Sequence, residues 1–251
     1  MTLSPERTDP VVPVAHVRQV ESVSLCPGRP ARLDLEPDCG LWLAELQRLP
    51  SIAMQSCLSE EEQHKASRFV FERDRQRYLS AHVKLRRLLG DALALPPEKL
   101  DFGAGPFGKP YLRNRVICAF NLSHSEDLAV VLIAKQGEVG IDIEMLRPMP
   151  DALALADRNF SRTECISLRA VDPAVRDLAF LTGWTRKEAC LKAIGSGLSI
   201  APDTFTAGLQ HDRCTTTIPT PEGLATVTVQ SFCHEVRCVI AWAKVEPPSA
   251  D

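Results

Sequence analysis

The sequence predicts an α+β fold, in which helices and strands are mixed without a steady β-α-β alternation. Segments with helical periodicity lie on both sides of a central strand-like stretch, and the part beyond Gly197 consists of strand-like segments rich in threonine and valine. The 251 residues are 45% hydrophobic and 24% charged, a composition typical of a globular protein with a substantial core.

The N-terminal part combines a loose segment with short elements. Residues 1–30 are rich in proline and lack a clear period, so we expect a flexible lead-in with at most a short strand over 11–17. Residues 31–36 alternate between apolar and polar side chains and predict a strand. We expect a short helix over 41–49.

Capping patterns and amphipathic spacing predict the helices. Ser59 with Glu62, and Ser161 with Glu164, have the spacing of a capping box, in which each end of the motif bonds to the other. Gly90 is the expected end of a long helix. One helix is predicted to begin at Ser59. Further helices are predicted over 74–90, 151–159, 161–169 and 184–194. Residues 175–181 are expected to lead into the last of these helices.

The segments outside these helices include a turn-rich loop and four strands in the C-terminal part of the chain. Residues 105–110 predict a turn-rich loop that presents Lys109. The tail 247–251 is expected to be disordered. Strands are predicted over 205–209, 214–218, 225–232 and 237–243.

One helix, Trp184 to Ile194 with Gly195 as its cap, carries a possible site. Glu188 and Lys192 are one turn apart, so both can project beside the large aromatic Trp184, which we expect to serve in packing. A carboxylate and a lysine suit a phosphate or metal site. The alternative is a common surface ion pair, which stabilises a helix by about 0.2–0.5 kcal/mol.

A predicted strand that starts at Val139 carries two carboxylates. Asp142 and Glu144 are two residues apart, so a strand places both on one face. Their mutual repulsion would be relieved by a divalent cation, and magnesium is usually held by one or two carboxylates with substrate phosphates. The alternative is a half-exposed strand with an acidic outer face.

Two apolar runs, 116–120 and 128–134, flank a polar cluster. This pattern predicts a strand, a tight turn and a second strand, with Ser123 and His124 at the turn. His124 could serve as a turn residue or contact a phosphate.

Together these segments resemble the 4'-phosphopantetheinyl transferases of the Sfp (surfactin) type, over about residues 58–210. That family moves the phosphopantetheine arm of coenzyme A onto a serine of an apo acyl or peptidyl carrier protein. Each motif alone would be weak evidence, but their order and spacing make the match specific. The motifs are Phe107-Gly-Lys-Pro110, Asn121-Leu-Ser-His-Ser125, Gly140-Ile-Asp-Ile-Glu144 and Trp184-Thr-Arg-Lys-Glu-Ala-Cys-Leu-Lys192.

The resemblance implies a role for each matching polar residue. One Mg²⁺ ion, with Mn²⁺ as the alternative metal, would be held by Asp142, Glu144 and Glu188. Glu188 would also be the base, assisted in catalysis by Lys192 and His124. The residues implied to hold the phosphates of coenzyme A are Lys65, Lys109, Ser123, His124 and Lys192. Ala104 departs from the pattern, because some relatives carry a further basic residue there.

The resemblance also implies two similar subdomains related by a pseudo-twofold, with the active site in the cleft between them. We expect an N-terminal subdomain over 31–117 and a C-terminal one over 118–246. Two subdomains in one chain would complete the cleft, which favours a monomer.

Charge and cysteine content limit the partners and the compartment. The net charge of −3 gives no reason to expect nucleic-acid binding, although residues 60–115 hold twelve Lys and Arg against eight Asp and Glu. That basic stretch suits an anionic cofactor or an acidic partner, or is a solvated helix face. The nine cysteines lack a Cys-x-x-Cys pair, and the sequence has no membrane-spanning run or signal peptide, so we expect a cytoplasmic protein.

Other functions are compatible with parts of the sequence. The same acids could activate water in a metal-dependent phosphodiesterase that removes the arm or cleaves coenzyme A. A non-enzymatic module that binds carrier proteins would be expected to lack the intact acidic set. A hydrolase that uses Ser123 and His124 would lack the usual Gly-x-Ser-x-Gly turn around its serine.

Overall fold

The computed structural model describes residues 31–113, 118–235 and 237–247. The expected lead-in 1–30, with its short strand over 11–17, lies outside these ranges, as does the tail from 248 onward. The strands are β1 Ala31–Glu36, β2 Cys39–Glu45, β3 Phe102–Ala104, β4 Pro110–Leu112, β5 Ala119–Ser125, β6 Leu128–Ala134, β7 Val139–Met145, β8 Cys214–Thr220, β9 Gly223–His234 and β10 Cys238–Val245. The helices are α1 Ile52–Gln55, α2 Glu60–Ser67, α3 Glu72–Leu93, α4 Ala152–Asn159, α5 Arg162–Ala170 and α6 Arg176–Ile194.

The strands form two four-stranded antiparallel sheets and one small ribbon. The first sheet has the order β1-β2-β6-β5, the second has the order β7-β10-β9-β8, and β3 pairs with β4. The two sheets share a pairing pattern. In the first, β2 pairs with β6 and β6 pairs with β5; in the second, β7 pairs with β10 and β10 pairs with β9. A long helix, α3 or α6, lies between these strands in the chain. The predicted α+β fold with two similar subdomains is therefore confirmed.

Apolar side chains between the two sheets form the central core. Along β6, Leu128, Val130 and Leu132 face the second sheet, and the residues between them face α3, as the two-residue period of a strand requires. From the second sheet, Ile141 and Trp242 pack into the same core. The outer faces are covered by α3 on one side and α6 on the other, so the fold has four layers.

Helix α6 crosses β7 in backbone contact at Gly140. A Cβ atom there would lie 2.1 Å from the carbonyl oxygen of Ala189 and 2.2 Å from the backbone nitrogen of Ala193. Only glycine allows this approach. The helix begins at Arg176, before the predicted start at Trp184, because Phe180 continues its buried face. Gly195 ends it in the left-handed conformation (φ 78°), as predicted.

Three sequence predictions of local structure are wrong for physical reasons. Residues 41–49 include most of strand β2 rather than a helix, because β2 is buried on both faces between β1 and β6 and so lacks a two-residue period. Helix α3 continues past Gly90 to Leu93 and is capped by Ala94, which is left-handed (φ 52°). Residues 205–209 form no strand, since side chains from α5 and α6 bond to their backbone instead.

The sheet pairing also bears on the subdomain boundary. The expected division between 117 and 118 would separate β5 and β6 from β1 and β2, although all four strands share one sheet. A division after Ala134 keeps each sheet whole, and we propose it as the boundary in place of the expected one.

Both predicted capping boxes are present, and one extends into a buried charge cluster. The Glu62 carboxylate accepts hydrogen bonds from the Ser59 backbone (2.9 Å) and from Arg86 Nε (2.7 Å), and its other oxygen lies 2.9 Å from His82 Nδ1. Burial alone would raise the pKa of Glu62, but the bonds from His82 and Ser59 and the Arg86 charge lower it from 4.5 to about 2. The cluster ties α2 to α3.

Replacing Gly140 with alanine is expected to force α6 away from β7, because the new methyl group meets helix backbone rather than a flexible side chain. The free energy of unfolding should fall by roughly 1–3 kcal/mol in urea denaturation. Gly105→Ala is the matched control, since its Cβ would make ordinary contact at 3.5 Å. Equal stability of the two variants would contradict the close approach.

Glu62→Gln is expected to change how stability depends on pH. Because folding lowers the pKa of Glu62, its ionised form stabilises the protein above the unfolded value of 4.5, and this contribution is lost as the pH falls toward 2. The variant should be less stable at neutral pH and show a flatter decline over that acidic interval, measured by denaturation at a series of pH values. Glu60→Gln, at an exposed position of the same helix, should keep the wild-type profile.

Candidate active site

The two sheets meet along their edge strands β5 and β7, and side chains of β5 bond to β7 there. The backbone N–H of Ile141 donates to Asn121 Oδ1 (2.9 Å), and that of Met145 donates to Ser125 Oγ (3.3 Å). Asn121, Ser123 and Ser125 are two residues apart and share one face of β5. Ser123 therefore lies between two bonds that join the strands.

Ser123 takes part in a three-membered polar cluster with one residue of β7 and one of α6. Its hydroxyl donates to Asp142 Oδ1 (2.9 Å) and accepts from Lys192 Nζ (3.0 Å). Lys192 Nζ also lies 2.6 Å from Asp142 Oδ1. Asp142 is 6% exposed, and burial raises its pKa, although Lys192 and Ser123 act in the opposite direction. The cluster joins both sheets to α6.

Glu188 lies one turn before Lys192 but does not pair with it. Within the described ranges the half-buried Glu188 carboxylate carries neither a hydrogen bond nor an ion pair, and Lys192 contacts Asp142 instead. Burial raises the pKa of Glu188, and the charges of Asp142 and Glu144 raise it further. The surface ion pair between Glu188 and Lys192 that the helix sequence alone permits is therefore not formed in the structure.

Asp142 and Glu144 share one face of β7, because the alternating Ile141 and Ile143 face the central core. Glu144 pairs with Arg147 at 3.0 Å. Asp142, Glu144 and Glu188 influence one another electrostatically. Among the residues that the structure describes, however, no three His, Cys, Asp or Glu side chains are arranged to hold a metal ion.

Ser123 and His124 lie within β5 rather than at the predicted turn. The hairpin turn is formed by Glu126, which is left-handed (φ 49°), and Asp127. The polar cluster misled the prediction because its serines bond across to β7 instead of ending the strand.

The two residues also face opposite sides of β5. His124 is exposed on the side of α3, where partial enclosure of its ring and the positive charges of Lys192, His82 and Arg77 lower its pKa. Because neighbouring strand residues point apart, Ser123 and His124 do not form the pair that a Ser-His hydrolase needs.

Lys109 reaches from the loop between β3 and β4 to the end of α6. Its Nζ donates to the Ala193 carbonyl oxygen (2.8 Å) and to Glu138 Oε2 (2.6 Å). Burial lowers the pKa of Lys109, while Glu138 acts to raise it. Lys109 lines a cavity of about 600 Å³ together with Tyr111 and Lys135.

Lys65 lies in the last turn of α2, on the α3 side of the molecule. Its Nζ is 5.5 Å from the centre of the Tyr78 ring, and that ring packs against His82 with centroids 4.0 Å apart. No hydrogen bond or ion pair connects Lys65 to the Asp142 cluster in the part of the chain that the structure describes.

Two buried cations of α6 support the site, and no role for them was predicted from the sequence. Lys187 pairs with Glu164 (2.8 Å) and donates to the Pro202 and Phe205 carbonyl oxygens. Arg186 donates to backbone carbonyls of the segment that follows. Their position in the middle of a largely apolar helix was the only signal in the sequence, and it is compatible with a solvated residue as well.

None of the described helices is both long and apolar enough to cross a membrane.

Two protein-family models match consecutive parts of the chain. The N-terminal 4'-phosphopantetheinyl transferase model matches residues 42–136, and the model of the 4'-phosphopantetheinyl transferase superfamily matches residues 138–237. The two matches meet close to the boundary that we propose after Ala134.

Curated proteins of the same class are similar over most of their length. The putative 4'-phosphopantetheinyl transferase slr0495 of Synechocystis is 35% identical over 182 residues, which are 70% of this chain and 74% of the relative. HetI of Nostoc, a 4'-phosphopantetheinyl transferase, is 36% identical over 66% of this chain and 72% of its own. Sfp of Bacillus subtilis is 32% identical over 62% and 69%.

An acidic strand lies beside a helix that carries Glu188 and Lys192, where two similar subdomains meet. The chain that contains this arrangement matches one class of enzyme. The chain belongs to the 4'-phosphopantetheinyl transferase superfamily. It is an enzyme that transfers phosphopantetheine from coenzyme A to carrier proteins.

Lys192→Met is expected to reduce stability as well as activity, because it leaves the buried Asp142 without its ion-pair partner. Unfolding in urea should show a loss of roughly 1–3 kcal/mol. Adding Asp142→Asn to this variant should recover part of the loss, since the uncompensated charge is then removed.

Glu188→Gln is the matched control for this experiment, because the carboxylate has no described ion pair. It should change stability by less than about 0.5 kcal/mol. If Glu188→Gln and Lys192→Met lowered the free energy of unfolding equally, and their effects were not additive, the stabilising ion pair would instead be the one between Glu188 and Lys192 along the helix.

Proposed function

We propose that the transfer depends on one divalent cation, Mg²⁺ or alternatively Mn²⁺, and that it releases 3',5'-ADP. Asp142, Glu144 and Glu188 would hold the cation. Their carboxylate oxygens are the ligands that such hard cations prefer. Burial, together with repulsion from Asp142 and Glu144, raises the pKa of Glu188, and a cation offsets that repulsion. When bound, the cation supplies positive charge beside the pyrophosphate of coenzyme A.

The single observation that carries this proposal is the cluster of Ser123, Asp142 and Lys192 at the junction of β5, β7 and α6. A buried carboxylate that is paired with a lysine ammonium can exchange that partner for a cation, and the ammonium is then available to an anionic substrate. Glu188, which has no described hydrogen bond or ion pair, lies near this cluster, and a purely structural ion pair between Asp142 and Lys192 would not need a second carboxylate there.

Glu188 is the proposed base. Its carboxylate is half-buried, has no described hydrogen bond and has a raised pKa, so it can accept a proton from the carrier serine. The serine oxygen forms a bond to the phosphorus on the pantetheine side, the bond from that phosphorus to the bridging oxygen breaks, and 3',5'-ADP leaves. Lys192 offsets the negative charge that develops on the leaving group.

The remaining basic and polar residues would hold the phosphates of coenzyme A. Ser123 lies in the cluster itself, whereas His124 and Lys65 lie on the α3 side of β5. Lys109 approaches from the opposite subdomain at the end of α6. A lysine in this setting acts as a compact point charge for phosphate oxygens.

The proposal extends to the partners and the setting of the reaction. The acceptors are apo acyl or peptidyl carrier proteins, and neither nucleic acid nor a membrane takes part. We further propose a cytoplasmic monomer. The free cysteines among the described residues fit a reducing compartment, and one chain supplies every residue of the proposed site.

The proposal predicts that Asp142→Asn abolishes transfer while the protein remains folded. Apo carrier proteins incubated with enzyme, coenzyme A and Mg²⁺ should gain one phosphopantetheine group, measured by intact mass, and EDTA should prevent the gain. Circular dichroism checks the fold of the variant. Asp91→Asn, at an exposed position near the end of α3, should retain transfer.

Near wild-type transfer by Asp142→Asn, or transfer that persists in EDTA, would contradict the metal assignment. Free phosphopantetheine produced without a carrier would favour the phosphodiesterase alternative. Detection of 3',5'-ADP in an amount equal to the modified carrier tests the proposed leaving group.

A further inference from the structure

Two residues of the Asn121–Ser125 motif have no role in the proposed chemistry. Asn121 and Ser125 flank Ser123 on the same face of β5, and each accepts a hydrogen bond from a backbone N–H of β7. Asn121 is 5% exposed, and Ser125 is half-buried. They contact neither Lys192 nor Glu188 through any described hydrogen bond.

These bonds join strands that belong to different sheets. β5 is the last strand of the first sheet, and β7 is the first strand of the second, so each has one edge without a backbone ladder on that side. A backbone N–H that is shielded from water and lacks an acceptor is destabilising, and the side chains of Asn121 and Ser125 supply acceptors for Ile141 and Met145.

The bonds also determine how far β5 can slide along β7. The acceptors are four residues apart on β5, and the donors are four residues apart on β7, so one register satisfies both. A slip by one residue would turn the serine face of β5 away from β7, because side chains alternate between the two faces. In the observed register Ser123 lies against Asp142 and Lys192.

We propose that Asn121 and Ser125 are positioning residues for the transfer reaction. They fix the register between β5 and β7 and thereby hold Ser123 in contact with Asp142 and Lys192. This inference rests on the proposed contact of Ser123 with the phosphates of coenzyme A. The two residues act through Ser123 and do not themselves touch the substrate.

Ser125→Ala tests the proposal directly, because it removes one acceptor at a position that is only half-buried. It should lower kcat/KM for coenzyme A about tenfold, because Ser123 is then displaced from its proposed contact with the coenzyme A phosphates, and leave KM for the carrier protein unchanged. The amide of Met145 should exchange faster with deuterium. Ser125→Thr keeps the hydroxyl and should restore both values.

A double-mutant cycle with Ser123→Ala separates positioning from general stability. If Ser125 acts through Ser123, its replacement should have little further effect on kcat/KM in the Ser123→Ala background. Thr220→Ala is the matched control, since it removes a hydroxyl that bonds to the Gly223 carbonyl at the remote β8–β9 turn. It should leave the kinetics unchanged. Asn121→Ala should behave like Ser125→Ala if it folds.

Two results would overturn the proposal. One is wild-type kcat/KM in Ser125→Ala, and the other is a loss that is as large in the Ser123→Ala background as in the wild type. The single variant Ser123→Ala tests the proposed phosphate contact separately. Unchanged kinetics in that variant would contradict the contact, independently of the result for Ser125.

Discussion

The close approach of α6 to β7 at Gly140 is the constraint on which the rest of the site depends. Because the two backbones touch, Lys192 on the helix can reach Asp142 on the strand at 2.6 Å. The helix is also held from its other side, where the buried Lys187 and Glu164 tie it to the segment after it. Position and charge at the site are therefore consequences of packing in the second subdomain.

The first subdomain completes the site through β5. Edge strands of two sheets are usually kept apart or covered, since their free N–H and C=O groups can pair wrongly. Here the polar side chains of β5 accept hydrogen bonds from the backbone of β7 and place Ser123 against the carboxylate of Asp142. The candidate site lies where the two similar subdomains meet, so neither half contains all of its proposed residues.

Local signals in the sequence predicted much of this arrangement. The capping box at Ser59, the cap at Gly195 and the shared face of Asp142 and Glu144 follow from rules that span a few residues, and the structure has all three. The partner of Lys192 could not be predicted in this way. A helix offers Glu188 one turn away, and only the packing of α6 on β7 makes Asp142 the nearer carboxylate. The buried strand β2 was mistaken for a helix for a similar reason, because its sheet partners rather than its period define it.

The proposed site places bound coenzyme A at the junction of β5, β7 and the second half of α6. Hydrogen–deuterium exchange, followed by mass spectrometry with and without coenzyme A and Mg²⁺, detects where the ligand binds. Peptides that cover 119–125, 139–145 and 186–195 should become protected when both are added. Protection confined to another region, such as the cavity beside Trp42, with these peptides unchanged, would contradict this placement.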